Sequence, residues 1–198
     1  MTKWIENPDG GRDRGPRALA RAWLEVLLRP GRFFRAGVSP GDQAPGLTFF
    51  LVVVCCVEAT RYAFVAGAYP DLGVREPLGA VFWLSLVVLL VAPLALHAVA
   101  AVQTVVLLPV VSDRAGISQT VQVIAYSTAP CIFTGIQIPA LQVLCTAYGA
   151  VLLIAGLRIV HRTTVIRAII AGTIPAALVF GYGFRGFNAL RELGVVIW

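Results

Sequence analysis

Between residues 78 and 111 the chain runs for 34 residues without an aspartate, glutamate, lysine or arginine. A helix rises about 1.5 Å per residue, so roughly 20 apolar residues cross a hydrocarbon core of about 30 Å. This run exceeds one crossing, and a soluble domain has no interior that would hide it. Four further apolar stretches, residues 46–68, 118–137, 140–157 and 164–184, are each about one crossing long. The composition agrees: 58% of the 198 residues are apolar and 13% charged, against roughly 45–50% and 25% in soluble domains. Mean hydropathy is +0.82. A soluble globular protein is excluded, and so is disorder over most of the length. The expectation is an all-α, polytopic integral membrane protein with five transmembrane helices.

Residues 78–111 form either one long helix kinked at Pro93 or a hairpin of two short spans. A hairpin needs a polar turn, and around Pro93 stand only Val91, Ala92, Leu94, Ala95 and Leu96. One long helix is expected, leaving the membrane near Gln103 and running along the interface to Pro109. Charge tests this choice, because cytoplasmic loops gather Lys and Arg. Five spans with the N-terminus inside put twelve basic residues in inner segments and three in outer ones; six spans give ten against five. Five spans predict a cytoplasmic N-terminus and an outer C-terminal tail, residues 185–198, on a multi-pass protein of the cell membrane.

The net charge of +6 comes from 16 basic and 10 acidic residues, and half of the basic ones lie in the first 35 residues. Residues 1–16 are rich in Gly, Pro, Asp and Asn, which predicts a mobile polar arm. No cleavable secretory signal is visible at this polar start. Over 17–28, Leu19, Trp23, Val26 and Leu27 recur at helical spacing with Arg17, Arg21 and Glu25 on the other side, so 17–35 reads as an amphipathic interfacial helix followed by an aromatic anchor. Trp23, Arg32, Phe33, Phe34 and Arg35 are its expected membrane-surface contacts. Anchoring to the bilayer is favoured over docking of a soluble partner, and no nucleic-acid recognition motif is present. Cys55, Cys56, Cys131 and Cys145 lie in apolar runs without Cys-x-x-Cys spacing and read as small buried hydrophobes, not disulfide or zinc ligands.

Glu58 and Arg61 are three residues apart on one face of the first span, a spacing that favours an ion pair. His97 has no second ligand at metal spacing and reads as a hydrogen-bonded interfacial histidine. Arg158, His161 and Arg162 cluster in the fourth loop, where they would either orient the chain or contact a lipid phosphate. There is no phosphate loop, Ser/His/Asp set, His-Glu-x-x-His or intramembrane carboxylate pair. No catalytic, cofactor or metal site is therefore expected, and the chain is not expected to be an enzyme. Small residues around Gly149 and Gly156 point to tight helix contacts and specify no oligomer.

The run Gly116, Ile117, Ser118, Gln119, Thr120, then Ala125, Tyr126, Ser127, Thr128, Ala129, Pro130, resembles the loop and third span of the Yip family. These are multispanning proteins named for interaction with Ypt/Rab GTPases. Pro139, Tyr148, and the order Gly156, Leu157, Arg158, His161, Thr163, Thr164, Ala168, Pro175 continue the likeness, as do His97 and the N-terminal Pro30, Phe33 and Phe34. It covers roughly residues 19–184, with 46–184 as the five-helix domain. One departure is Ser112, Asp113, Arg114 and Ala115 where the family has paired glycines. The resemblance implies a cytoplasmic N-terminus, five spans and a short outer tail. For eukaryotic members it implies adaptors in vesicle traffic. The arginine bias, with Lys3 the lone lysine, suggests a prokaryotic member. The expected function is a non-enzymatic membrane scaffold or adaptor, with the lipid bilayer and a cytoplasmic-side protein as partners. The alternative is a small transporter or permease component, with Glu58, Arg61, Gln103, Gln122, Gln137 and Gln142 lining a path.

Overall fold

Proline opens most of the helices, where its missing N–H costs nothing and its fixed φ suits the first turn. A computed structural model describes residues 15–73 and 75–195; most of the expected polar arm lies outside them. Those residues are mostly helical, with no strand among them. The helices are α1 (Pro16–Leu28), α2 (Pro30–Ala36), α3 (Ala44–Phe64), α4 (Glu76–Val110), α5 (Ile117–Ser127), α6 (Pro139–Val160), α7 (Val165–Gly183) and α8 (Gly186–Glu192). Four of them, α3, α4, α6 and α7, are long and apolar enough to cross a membrane.

The stretch 118–137 is not a single helix. It consists of α5 and a 3-10 turn, Ala129–Phe133. Pro130 supplies no N–H to continue the ladder. Hydroxyls take up the carbonyls around the break: Ser127 donates to Ile124, Thr128 to Ala125 and Thr134 to Cys131, each at 2.7 Å. This broken segment is the most enclosed part of the molecule, every residue from Thr120 to Cys131 being buried. It runs alongside α3 in the same direction. Gly46, in the first turn of α3, lies against Gln122, and Gly135 lies against Val57 and Thr60 near the end of α3.

The long helix α4 is continuous over 35 residues. A π turn, Val87–Val91, precedes Pro93 and widens the helix where the proline ring would crowd the carbonyl of Leu89. The second half packs most fully: Ala92, Leu96, Ala100, Gln103 and Leu107 are buried along one face, whereas Gly79 is the buried residue of the first helical part. Gln103, near which the helix is expected to leave the membrane, is packed inside the bundle. Pro175 explains why Gln103 is inside. It leaves the carbonyl of Ala171, four residues earlier on α7, without its intrahelical donor. Gln103 Nε2 donates to that oxygen at 2.9 Å.

The same substitution of side chain for backbone recurs. In the turn before α6, Gln137 Nε2 donates to the carbonyl of Gly135, two residues earlier, at 3.1 Å. Gln142 Nε2 donates to Thr134 and Ile136 at 2.9 and 3.2 Å.

The N-terminal helices pack on the bundle. Ala18, Ala22 and Val26 form the buried face of α1, the indole N–H of Trp23 donates to Ala129 at 2.8 Å, and the hydroxyl of Tyr148 donates to Leu27. Phe33 and Phe34, expected at headgroup depth, are instead in the core at 0% and 2% exposure. Phe33 meets Tyr126 edge-to-face at 4.8 Å, and Phe34 lies against Gly156. The residues expected as a plain outer tail contain α8, whose Gly186 and Ala189 are buried.

The contact at Gly135 tests the seating of the broken segment. A Cβ there would overlap the Val57 carbonyl oxygen and lie 2.8 Å from Thr60 Cβ, and backbone cannot yield as a side chain can. Gly135→Ala should destabilise the solubilised protein by about 1–3 kcal/mol. Gly116→Ala, with nothing within 4 Å, should leave the thermal midpoint almost unchanged. Equal midpoints for the two variants would show that the segment does not sit against α3.

Candidate functional site

Polar chemistry concentrates at the two ends of the bundle. At the end where α3 and α7 finish, Glu58 accepts from Arg61 and from Arg185, both at 3.0 Å. The expected Glu58–Arg61 pair is thus one arm of a triad. The second arm reaches across 127 positions of sequence and fastens the α7–α8 turn to α3. Arg185 sits in the left-handed region at φ 61°, a conformation that costs a non-glycine residue roughly 1 kcal/mol or more. The doubly charge-assisted contact to Glu58 is what that strain supports. Beside the triad an apolar cavity of about 190 Å³ lies between α3, α4 and α7, with Glu58 on its wall.

At the opposite end α4 and α6 finish and α3, α5 and α7 begin. Here His161 is fully buried at 1% exposure. The backbone N–H of Ala115 donates to its Nδ1 at 3.2 Å, so that nitrogen is an acceptor and the proton is on Nε2. Nε2 lies 3.4 Å from the hydroxyl of Thr120, which itself donates to Gly116 at 3.3 Å. The imidazole is a clasp holding the loop before α5 to the end of α6. Burial, reinforced by the nearby charge of Arg114, lowers its pKa from 6.5 to about 4. A proton on Nδ1 would also turn the acceptor of the Ala115 N–H into a second donor.

Arg158 and Arg162 are exposed, unlike His161. Together with Arg35, Gln119 and Phe34 they line a cavity of about 670 Å³ between α2 and the end of α6. The three residues expected to act together are therefore divided, His161 inside and the two arginines on the cavity. Arg35, expected only as a surface anchor, joins them because α2 folds back onto α6. Of the other expected anchor residues, Arg32 pairs with Glu25 at 3.0 Å and Trp23 is spent on the Ala129 carbonyl. His97 Nδ1 lies 2.7 Å from the Pro93 carbonyl, a contact within its own helix.

Several apolar helices long enough to span, joined by a buried and internally hydrogen-bonded segment, define a multi-pass α-helical membrane protein. The Yip1 domain family matches residues 24–184. The chain belongs to that family, which is not a family of enzymes. No curated protein and no solved structure matches it.

The His161 clasp gives a pH dependence of definite sign. With a folded pKa below the unfolded one, the neutral ring's contribution is fully present above pH 6.5. It is lost as pH falls from 6.5 towards 4, because the unfolded chain takes up the proton first. The loss amounts to about 3 kcal/mol at 1.36 kcal/mol per unit. Thermal melts of solubilised protein from pH 7 to pH 4 should therefore fall more steeply for wild type than for His161→Gln, which is less stable at pH 7 and does not titrate. Parallel curves would remove the clasp from the account.

Proposed function

We propose that the chain is a non-enzymatic membrane scaffold or adaptor of the Yip type. It crosses the cell membrane five times, with its N-terminus cytoplasmic, its C-terminus outside, and its contact surface for a partner protein on the cytoplasmic side. The observation that carries the scaffold reading is the fate of the polar residues between helices. Gln103, Gln137 and Gln142 donate to backbone carbonyls. Gln122 accepts from the Ser39 N–H at 3.1 Å and donates to Ser39 and Ser118. Glu58 and Arg61 are held in the triad. These are the residues a transport path would need free: Gln103, Gln122 and Glu58 tie separate elements together, and Gln137, Gln142 and Arg61 are engaged within their own helix or the turn beside it.

Five passes are supported by the course of 118–137. Its α-helical and 3-10 portions together rise about 26 Å, close to a bilayer core, and it runs parallel to α3 from one end of the bundle to the other. The arginines at the end where α6 finishes favour that end as the cytoplasmic one.

Two measurements test this. In a cysteine-free background, Thr2→Cys and Asn188→Cys should react with an impermeant maleimide from opposite sides of sealed membranes; reaction from the same side would exclude an odd number of passes. For the adaptor role, full-length protein and a form lacking residues 1–14 are purified from native membranes in mild detergent. A stoichiometric protein recovered with either form is expected. Recovery of none with both would overturn the adaptor role.

A further inference from the structure

Two residues other than glycine hold a left-handed backbone among the described residues, and both are arginines. Arg185 is explained by Glu58. Arg162, at φ 48°, follows the last turn of α6, where the N–H of Thr163 donates back to Arg158 at 3.0 Å and that of Arg162 to Ile159 at 3.4 Å. This is the helix-ending turn that glycine serves best. An arginine there carries the steric cost of its Cβ, and no carboxylate among the described residues lies within ion-pair distance to offset it.

The cavity beside it has the same one-sidedness. Arg35 comes from α2, Arg158 from α6 and Arg162 from the turn, and no acidic residue among the described residues lines the space. The partial negative charge at the end of α6 accounts for a cation in its last turn. It accounts neither for the third guanidinium, brought by another helix, nor for the strain at Arg162. Gln119 uses its Oε1 to accept from the Gly116 N–H at 3.3 Å, which leaves its amide N–H groups to donate. Phe34 and Val38 supply an apolar wall on the same cavity. Guanidinium groups offer paired N–H donors matched to phosphate oxygens, and a volume of about 670 Å³ is in the range of small-molecule sites.

We propose that Arg35, Arg158, Arg162 and Gln119 bind a phosphate-bearing anion, supplied by the headgroup of an anionic phospholipid in the adjacent leaflet. The apolar wall and the position at the end of a spanning helix favour the lipid over a soluble phosphate. The site requires the chain to be embedded in a membrane and does not require the adaptor role.

The test uses full-length protein in nanodiscs of phosphatidylcholine with increasing phosphatidylglycerol, bound phosphatidylglycerol being counted by native mass spectrometry after mild detergent release. Arg162→Gly, whose backbone suits the turn, should raise the thermal midpoint in pure phosphatidylcholine and weaken phosphatidylglycerol binding by about fivefold or more, the effect of roughly one surface cation. Arg167→Gln removes an exposed arginine that does not line the cavity and should leave binding as in wild type. Equal weakening by the two substitutions would reduce the effect to general surface charge and overturn the site. Undiminished binding by Arg162→Gly would overturn it as well. If soluble glycerol 1-phosphate displaces the bound lipid at comparable concentration, the lipid source is overturned in favour of a soluble phosphate ester.

Discussion

A backbone that leaves the α-helix inside an apolar interior strands carbonyl and amide groups where no water can reach them, and each costs several kcal/mol unless the protein supplies a partner. This chain breaks its ladder between Ser127 and Phe133, at its most buried point. The rest of the architecture can be read as the response. Ser127, Thr128 and Thr134 fold their hydroxyls back onto carbonyls one turn earlier. Trp23 reaches in from α1 to the carbonyl of Ala129. The N-terminal helix is in this sense part of the core, and removing it would expose a polar break as well as an apolar surface.

The same requirement explains where glutamine appears. Pro175 leaves the Ala171 carbonyl open and Gln103 closes it; in the turn before α6, Gln137 and Gln142 donate to the carbonyls of Gly135, Thr134 and Ile136. Pro175 on one helix and the primary amide of Gln103 on its neighbour form a complementary pair that fixes the register between α7 and α4, which van der Waals contact alone would let slide. In lipid there is little hydrophobic drive to bring helices together, so such directional contacts specify the arrangement.

The apolar runs and the membrane class were legible in the sequence because hydropathy integrates over 20 residues and tolerates local error. The break in 118–137 is invisible to that average, since Ala129, Cys131, Ile132 and Phe133 are as apolar as a helix would be; Pro130 amid three hydroxyl residues was its signal. Phe33 and Phe34 illustrate a true ambiguity. An aromatic pair flanked by arginines has the same sequence whether it lies at the headgroups or, as here, against Tyr126 with the arginines pointing outward. The Glu58–Arg61 spacing revealed one arm of the triad, whereas Arg185 is too far along the chain for any local pattern to connect them. Arg158 and Arg162 stood together in the sequence, but Arg35 joins them only through the fold-back of α2. His161 sits among those arginines in sequence, and the αL turn at Arg162 separates it from them in space.

The two left-handed arginines make the asymmetry of the molecule explicit. Both accept a backbone conformation that glycine would hold without strain, so in each case the side chain has to account for the cost. At one end the account closes within the protein, because Glu58 takes both Arg185 and Arg61 and ties the last turn of α7 to α3. At the other end three guanidinium groups meet around a cavity with no acidic residue on its wall among the described residues. Mutual repulsion adds there to the strain at Arg162. A sequence selected only for stability would place a glycine at 162, so a retained arginine is consistent with an anion from outside the protein completing that end of the bundle.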